Sequence, residues 1–247
     1  MKNYKLNVQY DGSRYNGWQK QGNTRNTIQE KFESVLSLMC ERNIEIFASG
    51  RTDSGVHAEN QIANFKCVTD KSCEEIKNYL NKYLPSDILV KSVEEADERF
   101  HSRLNAISKT YEYRICVGKP DVFMRKYVFE TDKMPDVERM KEASKLLLGK
   151  HDFKGFSSVK KTKKSTERTI NFIDIEEKCG LIVIRINGSG FLHNMVRIIC
   201  GTLLQIGCGE FEGSIINEIF EEKTREKAGV TLPASGLVLK EVFYKGD

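Results

Sequence analysis

Apolar and polar residues alternate from the start of the chain. Leu6, Val8 and Tyr10 are separated by polar neighbours, the period of a half-buried strand. Thr27 with Glu30 makes a capping-box pattern ahead of Ile28, Phe32, Val35 and Met39, whose spacing puts them on one face of a helix. Strands are predicted over Ile44–Ser49 and Gln61–Val68, on either side of a glycine-containing loop. Ser72 with Glu75 opens a second helix through Ile76, Tyr79, Leu80 and Tyr83. Pro85 closes that region, and Ile88–Val93 predicts a further strand.

The later part of the chain has the same rhythm. Tyr111, Tyr113 and Ile115 alternate as a strand, and Val137–Leu148 predicts a helix that Gly149 ends. Thr169–Ile175 and Leu181–Asn187 predict strands, Phe191–Ile206 a strongly apolar helix, and Leu237–Tyr244 a closing strand. Several consecutive strands have no crossover helix between them, which parallel neighbours would need. The fold class expected is therefore α+β, with largely antiparallel sheets flanked by helices. The matching rhythm implies two similar α/β halves, 1–104 and 105–247, although no residue-level repeat is evident.

The composition is that of an ordinary folded domain: 247 residues, 39% hydrophobic, 30% charged and four prolines. A chain of this length needs neither disulfides nor metal for stability. No apolar run approaches the roughly 20 residues that cross a bilayer, and no apolar signal core is seen at Met1–Val8, so a cytoplasmic location is expected. The seven cysteines are scattered and form no C-x-x-C pair, which fits buried small hydrophobes and signals no metal site.

The net charge of +4 is mild, but the cations cluster. Arg14, Lys20 and Arg25 lie without an acid among Tyr15 and Trp18. Arg99, Arg103, Lys109 and Arg114 face only Glu112, and Lys154, Lys160, Lys161, Lys163, Lys164 and Arg168 face only Glu167. Basic segments with aromatics are what a phosphate backbone with stackable bases requires; solvated loops are the plainer alternative.

The densest chemistry lies in Ala48-Ser-Gly-Arg-Thr-Asp-Ser-Gly-Val-His-Ala58, between two predicted strands. Gly50 and Gly55 permit backbone conformations that other residues resist. A guanidinium at Arg51 within a few ångströms of Asp53 would hold that carboxylate ionised, as a nucleophile or general base requires. On these grounds alone a structural turn with a local ion pair fits as well. His57 reads most simply as a loop or capping histidine.

Taken with the rest of the chain, this segment resembles the signature of the TruA family of tRNA pseudouridine synthases. The resemblance continues in the family's order through Tyr10-Asp-Gly-Ser-Arg-Tyr-Asn-Gly-Trp-Gln19, Thr27-Ile-Gln-Glu30, Asn81-Lys-Tyr-Leu-Pro85 with Asp87-Ile88, and Phe100-His-Ser-Arg103. It extends through Lys109-Thr-Tyr-Glu-Tyr113, Gly149-Lys-His-Asp-Phe153, Phe191-Leu-His-Asn-Met-Val-Arg197 with Gly201, and Gly236-Leu-Val-Leu239. One short motif recurs by chance; an ordered series does not. Departures are small: Ser54 and Ser102 stand where alanine is usual, and Thr231–Ser235 varies a more alanine- and proline-rich stretch. They touch none of the implied catalytic groups and bear on substrate choice.

The resemblance implies an isomerase that needs no cofactor and no metal. Uracil leaves C1′ of its ribose, turns, and rejoins through C5, with Asp53 as the catalytic carboxylate. Tyr111 would stack on the flipped base, a choice that alternation cannot make because Tyr113 shares its face. Arg197, the single charge on an apolar helix, would pair with the catalytic carboxylate, and Arg51 would support the site. Arg14, Lys20, Arg25, Arg103, Lys160 and Lys161 are the implied RNA contacts. His193 and Gly188-Ser-Gly190 are further candidates, as a cleft histidine and a phosphate cradle, with a helix histidine and a helix entry as their plainer readings. Two halves meeting at a basic cleft, a homodimer and a tRNA partner are implied, with uridines at positions 38, 39 and 40 of the anticodon stem-loop as targets. An RNA-binding protein without catalysis, a related enzyme acting on ribosomal RNA, and an N-glycosidase are the alternatives.

Overall fold

A computed structural model describes residues 1–160 and 164–246. The chain separates into two compact units, Met1–Ile107 with Leu239–Asp247, and Ser108–Val238. A cut at residue 104 would assign the last segment to the second unit; the structure returns it to the first.

In the first unit, β1 (Lys2–Tyr10) lies between β4 (Ile88–Ala96) and β3 (His57–Cys67), antiparallel to both. The short β2 (Ile46–Ala48) also pairs antiparallel with β3. The last strand, β10 (Leu237–Tyr244), lies beside β3 through its larger part. There the Asn60 side chain donates to Lys240 O at 2.7 Å and the Tyr244 hydroxyl to Ser102 O at 2.7 Å.

Helix α1 (Ile28–Cys40) starts where Thr27 accepts the Glu30 N–H; Glu30 turns to Lys20 rather than back to the cap. In α2 (Cys73–Tyr83) both bonds of the Ser72–Glu75 capping box form. Of the apolar stripes expected, Leu6, Val8 and Tyr10 of β1 and Ile28, Phe32 and Val35 of α1 are buried and Met39 is partly exposed; Tyr4 and Leu36 are buried as well, with Tyr4 stacked on Phe65 at 5.3 Å.

In the second unit the strand order is β5 (Ala106–Val117), β9 (Leu181–Gly188), β8 (Glu167–Lys178) and β7 (Gly149–Asp152), all antiparallel. A short β6 (Phe129–Thr131) runs parallel to β5. The helices are α3 (Val137–Ser144), α4 (Met195–Gly207) and α5 (Ile215–Glu222). The class is the expected mixture of helices and mainly antiparallel sheet.

Three details differ from the sequence reading. Helix α3 tightens into a 3₁₀ turn over Lys145–Leu147, and Gly149, at a φ of 92°, opens a strand as well as ending the helix. Helix α4 begins at Met195 rather than Phe191, because Asn194 takes a left-handed conformation with a φ of 61°. Strand β6 has only three residues, and helix α5, with Ile215, Ile216, Ile219 and Phe220 on a marked apolar face, is an element the sequence reading does not include.

No helix among the described residues is long and apolar enough to cross a membrane, and none of their His, Cys, Asp and Glu side chains gather into a group able to hold a metal. The seven cysteines are free thiols.

Candidate active site

The Asp53 loop, residues 49–56, leaves β2 and enters β3. Its entry is fixed by side chains: Ser49 donates its hydroxyl to Gln61 at 2.6 Å, and the Gln61 amide donates to Gly50 O at 3.0 Å. Thr52 is buried, with its hydroxyl 2.8 Å from that of Tyr10. Burial raises the Tyr10 pKa to about 12, against the opposing hydrogen bonds of Thr52 and Gln61, so the phenol stays neutral. The loop closes with Val56 N–H on Asp53 O at 3.2 Å, and Gly55 takes a φ of 80°. Gly50 is not among the residues with positive φ, so only one of the two expected glycine conformations is used.

A second loop, residues 11–18, lies against the first, backbone on backbone. Trp18 N–H donates to Thr52 O at 3.1 Å, and Gly55 N–H to Tyr15 O at 3.2 Å. A Cβ at Gly12 would sit 1.9 Å from Val56 O; one at Gly17 would sit 2.6 Å from Thr52 O, with a φ of 83° opposing it as well. These two glycines are thus as necessary to the Asp53 loop as any residue within it. His57 Nδ1 accepts the Gly12 N–H at 3.1 Å and lies 3.2 Å from Asp11. The histidine is buried and joins the two loops, a closer role than the loop or capping histidine read from sequence.

Asp53 itself is half-buried, and Arg51 is exposed. Among the described residues Arg51 makes no ion pair, so the local Arg51–Asp53 bridge drawn from their spacing does not form. The aromatics of the opening loop are not stacking surfaces for a base. Tyr15 and Trp18 are core residues; Trp18 packs on Phe32 and Tyr10, and the Tyr15 hydroxyl is bound to Asp87.

Lys20 is held between Glu30 at 3.0 Å and Glu33 at 3.3 Å, and these partners raise its pKa. Arg14 and Arg25 remain as exposed cations of this segment, Arg14 at 3.9 Å from Asp87. Arg103 and Lys160 are exposed, and Lys161 lies outside the described residues, as does most of the Lys160–Lys164 run.

In the second unit Tyr111 and Tyr113 share a face of β5, as alternation required. Their environments separate them. Tyr113 is fully buried and donates to Pro233 O at 2.7 Å, and burial pushes its pKa up. Tyr111 keeps slight exposure and meets Phe191 edge-on at 5.2 Å, a contact that fixes the plane of its ring.

Arg197, in the first turn of α4, is half-buried. Its Nε donates to Leu232 O at 2.6 Å and its Nη1 to Asn194 Oδ1 at 2.8 Å. Both acceptors are neutral, so they orient the guanidinium without cancelling its charge. The segment that supplies Leu232 is clamped to α4: a Cβ at Gly201 would sit 1.9 Å from Val230 O, and Thr202 Oγ1 accepts the Gly229 N–H at 2.9 Å.

Ser158 N–H donates to His193 O at 3.0 Å and the Asn194 amide to Ser158 Oγ at 2.9 Å, tying the segment that leads to Lys160 to the start of α4. His193 is exposed. In Gly188-Ser-Gly190 the Ser189 N–H is taken by Thr169 O at 2.9 Å, which speaks for a sheet edge rather than a phosphate cradle.

The first unit thus presents a carboxylate on a doubly braced loop, and the second presents a fixed aromatic ring and an oriented guanidinium. Comparison with known proteins places the chain in a family. A family model described as tRNA pseudouridine synthase matches residues 7–105 and 143–245. The tRNA pseudouridine synthase A 2 of Bacillus cereus is 48% identical over 245 residues, covering 99% of this chain and 100% of that protein. The tRNA pseudouridine synthase A of a Bacillus species, strain KSM-64, is 49% identical, and tRNA pseudouridine synthase A 1 of Clostridium tetani 46%, each with the same two coverages. This chain therefore belongs to the tRNA pseudouridine synthases, isomerases that act on uridine in tRNA.

Proposed function

We propose that the enzyme isomerises uridines 38, 39 and 40 in the anticodon stem-loop of tRNA, with the Asp53 carboxylate as nucleophile on a flipped nucleotide. In the net reaction the N1–C1′ bond breaks, a C5–C1′ bond forms, C5 loses a proton and N1 gains one. No group is added and no electrons are exchanged, so the chemistry asks for a carboxylate, a binding surface and a proton path. Tyr111 supplies the aromatic face that replaces the lost stacking of the flipped base, worth roughly 1–3 kcal/mol. Arg197 supplies the positive charge that keeps a carboxylate ionised, and Arg51, from its exposed position, contacts a phosphate.

The observation that carries this reading is the bracing of the Asp53 loop. Two glycines of the neighbouring loop admit no side chain against it, and buried His57, where the loop enters β3, accepts the N–H of one of them. A turn that served only to join two strands would not need such support; a group that must meet C1′ to within a few tenths of an ångström does. Arg14, Arg25, Arg103, Lys160 and Lys161 are proposed to bind backbone phosphates, and Lys20 to do so only by leaving its two glutamates. The enzyme is proposed to act in the cytoplasm as a homodimer.

The test is to incubate purified enzyme with unmodified tRNA transcripts and with ribosomal RNA, and to map pseudouridine at single-base resolution. Product confined to the anticodon stem-loop supports the reading. Product only in ribosomal RNA, or free uracil in place of pseudouridine, overturns it.

A further inference from the structure

The first unit carries another built surface, at the opposite end of β3 from the Asp53 loop. A groove there is lined by Arg42, Lys66 and Arg99, by Glu45 and Glu98, and by the rings of Phe47 and His101. Strand register fixes its position. Ala58 pairs with Tyr10, whose hydroxyl meets Thr52 beside Asp53, whereas Phe47 pairs with Asn64. Gln61 binds Ser49 and Gly50 at the root of the Asp53 loop, and at ~3.4 Å per residue Asn64 lies about 10 Å and Lys66 about 17 Å further along β3.

One wall of the groove, residues 97–103, is held by polar side chains that the sheet itself does not need. Asn3 donates to Asp97 O at 2.8 Å and to Phe100 O at 2.9 Å. Asn64 donates to Asn3 Oδ1 at 3.1 Å and accepts the Ser102 N–H at 2.9 Å, while the Ser102 hydroxyl donates to Phe47 O at 2.7 Å. Asn3, Asn64 and Ser102 are at most 3% exposed. A satisfied buried network of this kind specifies one geometry, and here it fixes the loop that bears Arg99, His101 and Arg103.

The His101 ring is oriented too. Its Nδ1 accepts the Arg103 N–H at 3.1 Å, and the ring lies 5.1 Å from that of Phe47, which is 44% exposed. Among the described residues Arg42, Lys66 and Arg99 form no ion pairs.

We propose that this groove is a second RNA-contact site. It takes one or two backbone phosphates on Arg42, Lys66 and Arg99, and an unstacked base on the Phe47–His101 pair. Unpaired cations beside an exposed, fixed pair of rings are the chemistry of single-stranded or looped RNA. Glu45 and Glu98 limit the groove to isolated phosphates rather than a continuous backbone. The inference rests on the tRNA reading above and extends it: Gln61 holds Ser49 and Gly50 at the root of the Asp53 loop, and Lys66 lies about 17 Å further along β3, so RNA with its uridine at Asp53 must run along this edge to reach the cations. The segment taken is one outside the anticodon stem-loop, so a full-length tRNA gains from the contact and a minimal stem-loop does not.

The experiment measures affinity of the wild type, Lys66→Gln/Arg99→Gln, Arg42→Gln and Phe47→Ser for full-length tRNA transcript and for the isolated anticodon stem-loop across a salt series. Thermal melting checks that each variant is folded. The double variant is expected to bind tRNA about tenfold more weakly, with the dependence of log Kd on log salt reduced by roughly one to two. Phe47→Ser is expected to lose about fivefold or more with the salt slope unchanged. Stem-loop affinity should stay at the wild-type value. Unchanged tRNA affinity in the folded variants overturns the proposal, as does an equal loss on the stem-loop, which would mark general electrostatics. Pseudouridine formation by the wild type on the same transcripts reports separately on the reading it rests on.

Discussion

At the scale of single residues, the positions that matter most are set by what cannot be there. Gly17 sits with a φ of 83° and its missing Cβ would lie 2.6 Å from Thr52 O. Gly17→Ala is expected to lower stability by more than about 2 kcal/mol, from left-handed strain and the clash together, and to cut activity further by moving the Asp53 loop. Urea unfolding and initial rates on the same preparation measure both effects. Tyr111 gives a second, chemically distinct test. Phenylalanine keeps an aromatic face and leucine does not, so kcat/KM should fall more for Tyr111→Leu than for Tyr111→Phe. The gap should correspond to the stacking energy, roughly 1–3 kcal/mol or 5- to 150-fold. Equal losses in the two variants would show that the ring does not stack on the base. The chemical identity of these residues was readable from the chain. Their partners were not, because a hydrogen bond such as Gly12 N–H to His57 Nδ1 joins positions far apart in sequence.

At the scale of elements, many segments with strong apolar periodicity form within a few residues of where they are expected, with helix α5 the exception. Strand β10 runs over Leu237–Tyr244 as its alternation predicts, and α2 carries the full capping box read from Ser72 and Glu75. Strand β7 leaves no signal in the sequence because Gly-Lys-His-Asp has no apolar alternation; it is held instead by its pairing with β8 and by Asp152. Asp152 binds the Thr166 hydroxyl at 2.5 Å, the Lys154 N–H at 3.1 Å and Lys223 Nζ at 3.0 Å. Burial alone would raise its pKa. The Thr166, Lys223 and Lys154 bonds outweigh that and hold it below its ordinary value of 3.8. A carboxyl depressed in the folded state adds stability that is fully present above the unfolded pKa and is lost as pH falls through the folded value. Asp152→Asn should therefore lower the urea midpoint at neutral pH, by an equivalent of about 1–2 kcal/mol, and the gap to wild type should close as the pH falls below the ordinary carboxyl value of 3.8. A gap that stays constant with pH would show that the charge contributes nothing.

At the scale of the whole molecule, the rhythm of strands and helices suggests a cut at residue 104, while the contacts divide the chain into Met1–Ile107 with Leu239–Asp247, and Ser108–Val238. A linear reading assigns the C-terminus to the second half, whereas Leu239–Asp247 belongs to the first unit. Only pairing of β10 beside β3 reveals this, and strand pairing between distant segments leaves no local trace in a sequence. Removal of residues 239–247 would take away the buried Leu239, Val242 and Tyr244. At about 1.5–3 kcal/mol each, their loss rivals the whole stability of a typical domain, about 5–15 kcal/mol. The truncated chain is expected to be insoluble or unfolded by circular dichroism; a soluble, cooperatively melting product would contradict the assignment. The central claim, however, concerns the carboxylate of Asp53. It is tested most directly by the rate of pseudouridine formation on an unmodified tRNA transcript, with wild type and Asp53→Asn compared at equal tRNA occupancy. The expected result is product in the anticodon stem-loop from the wild type and a rate about a thousandfold lower or less from the variant, with tRNA affinity and melting temperature preserved. A folded, tRNA-binding Asp53→Asn enzyme that turns over within about tenfold of wild type would contradict the claim.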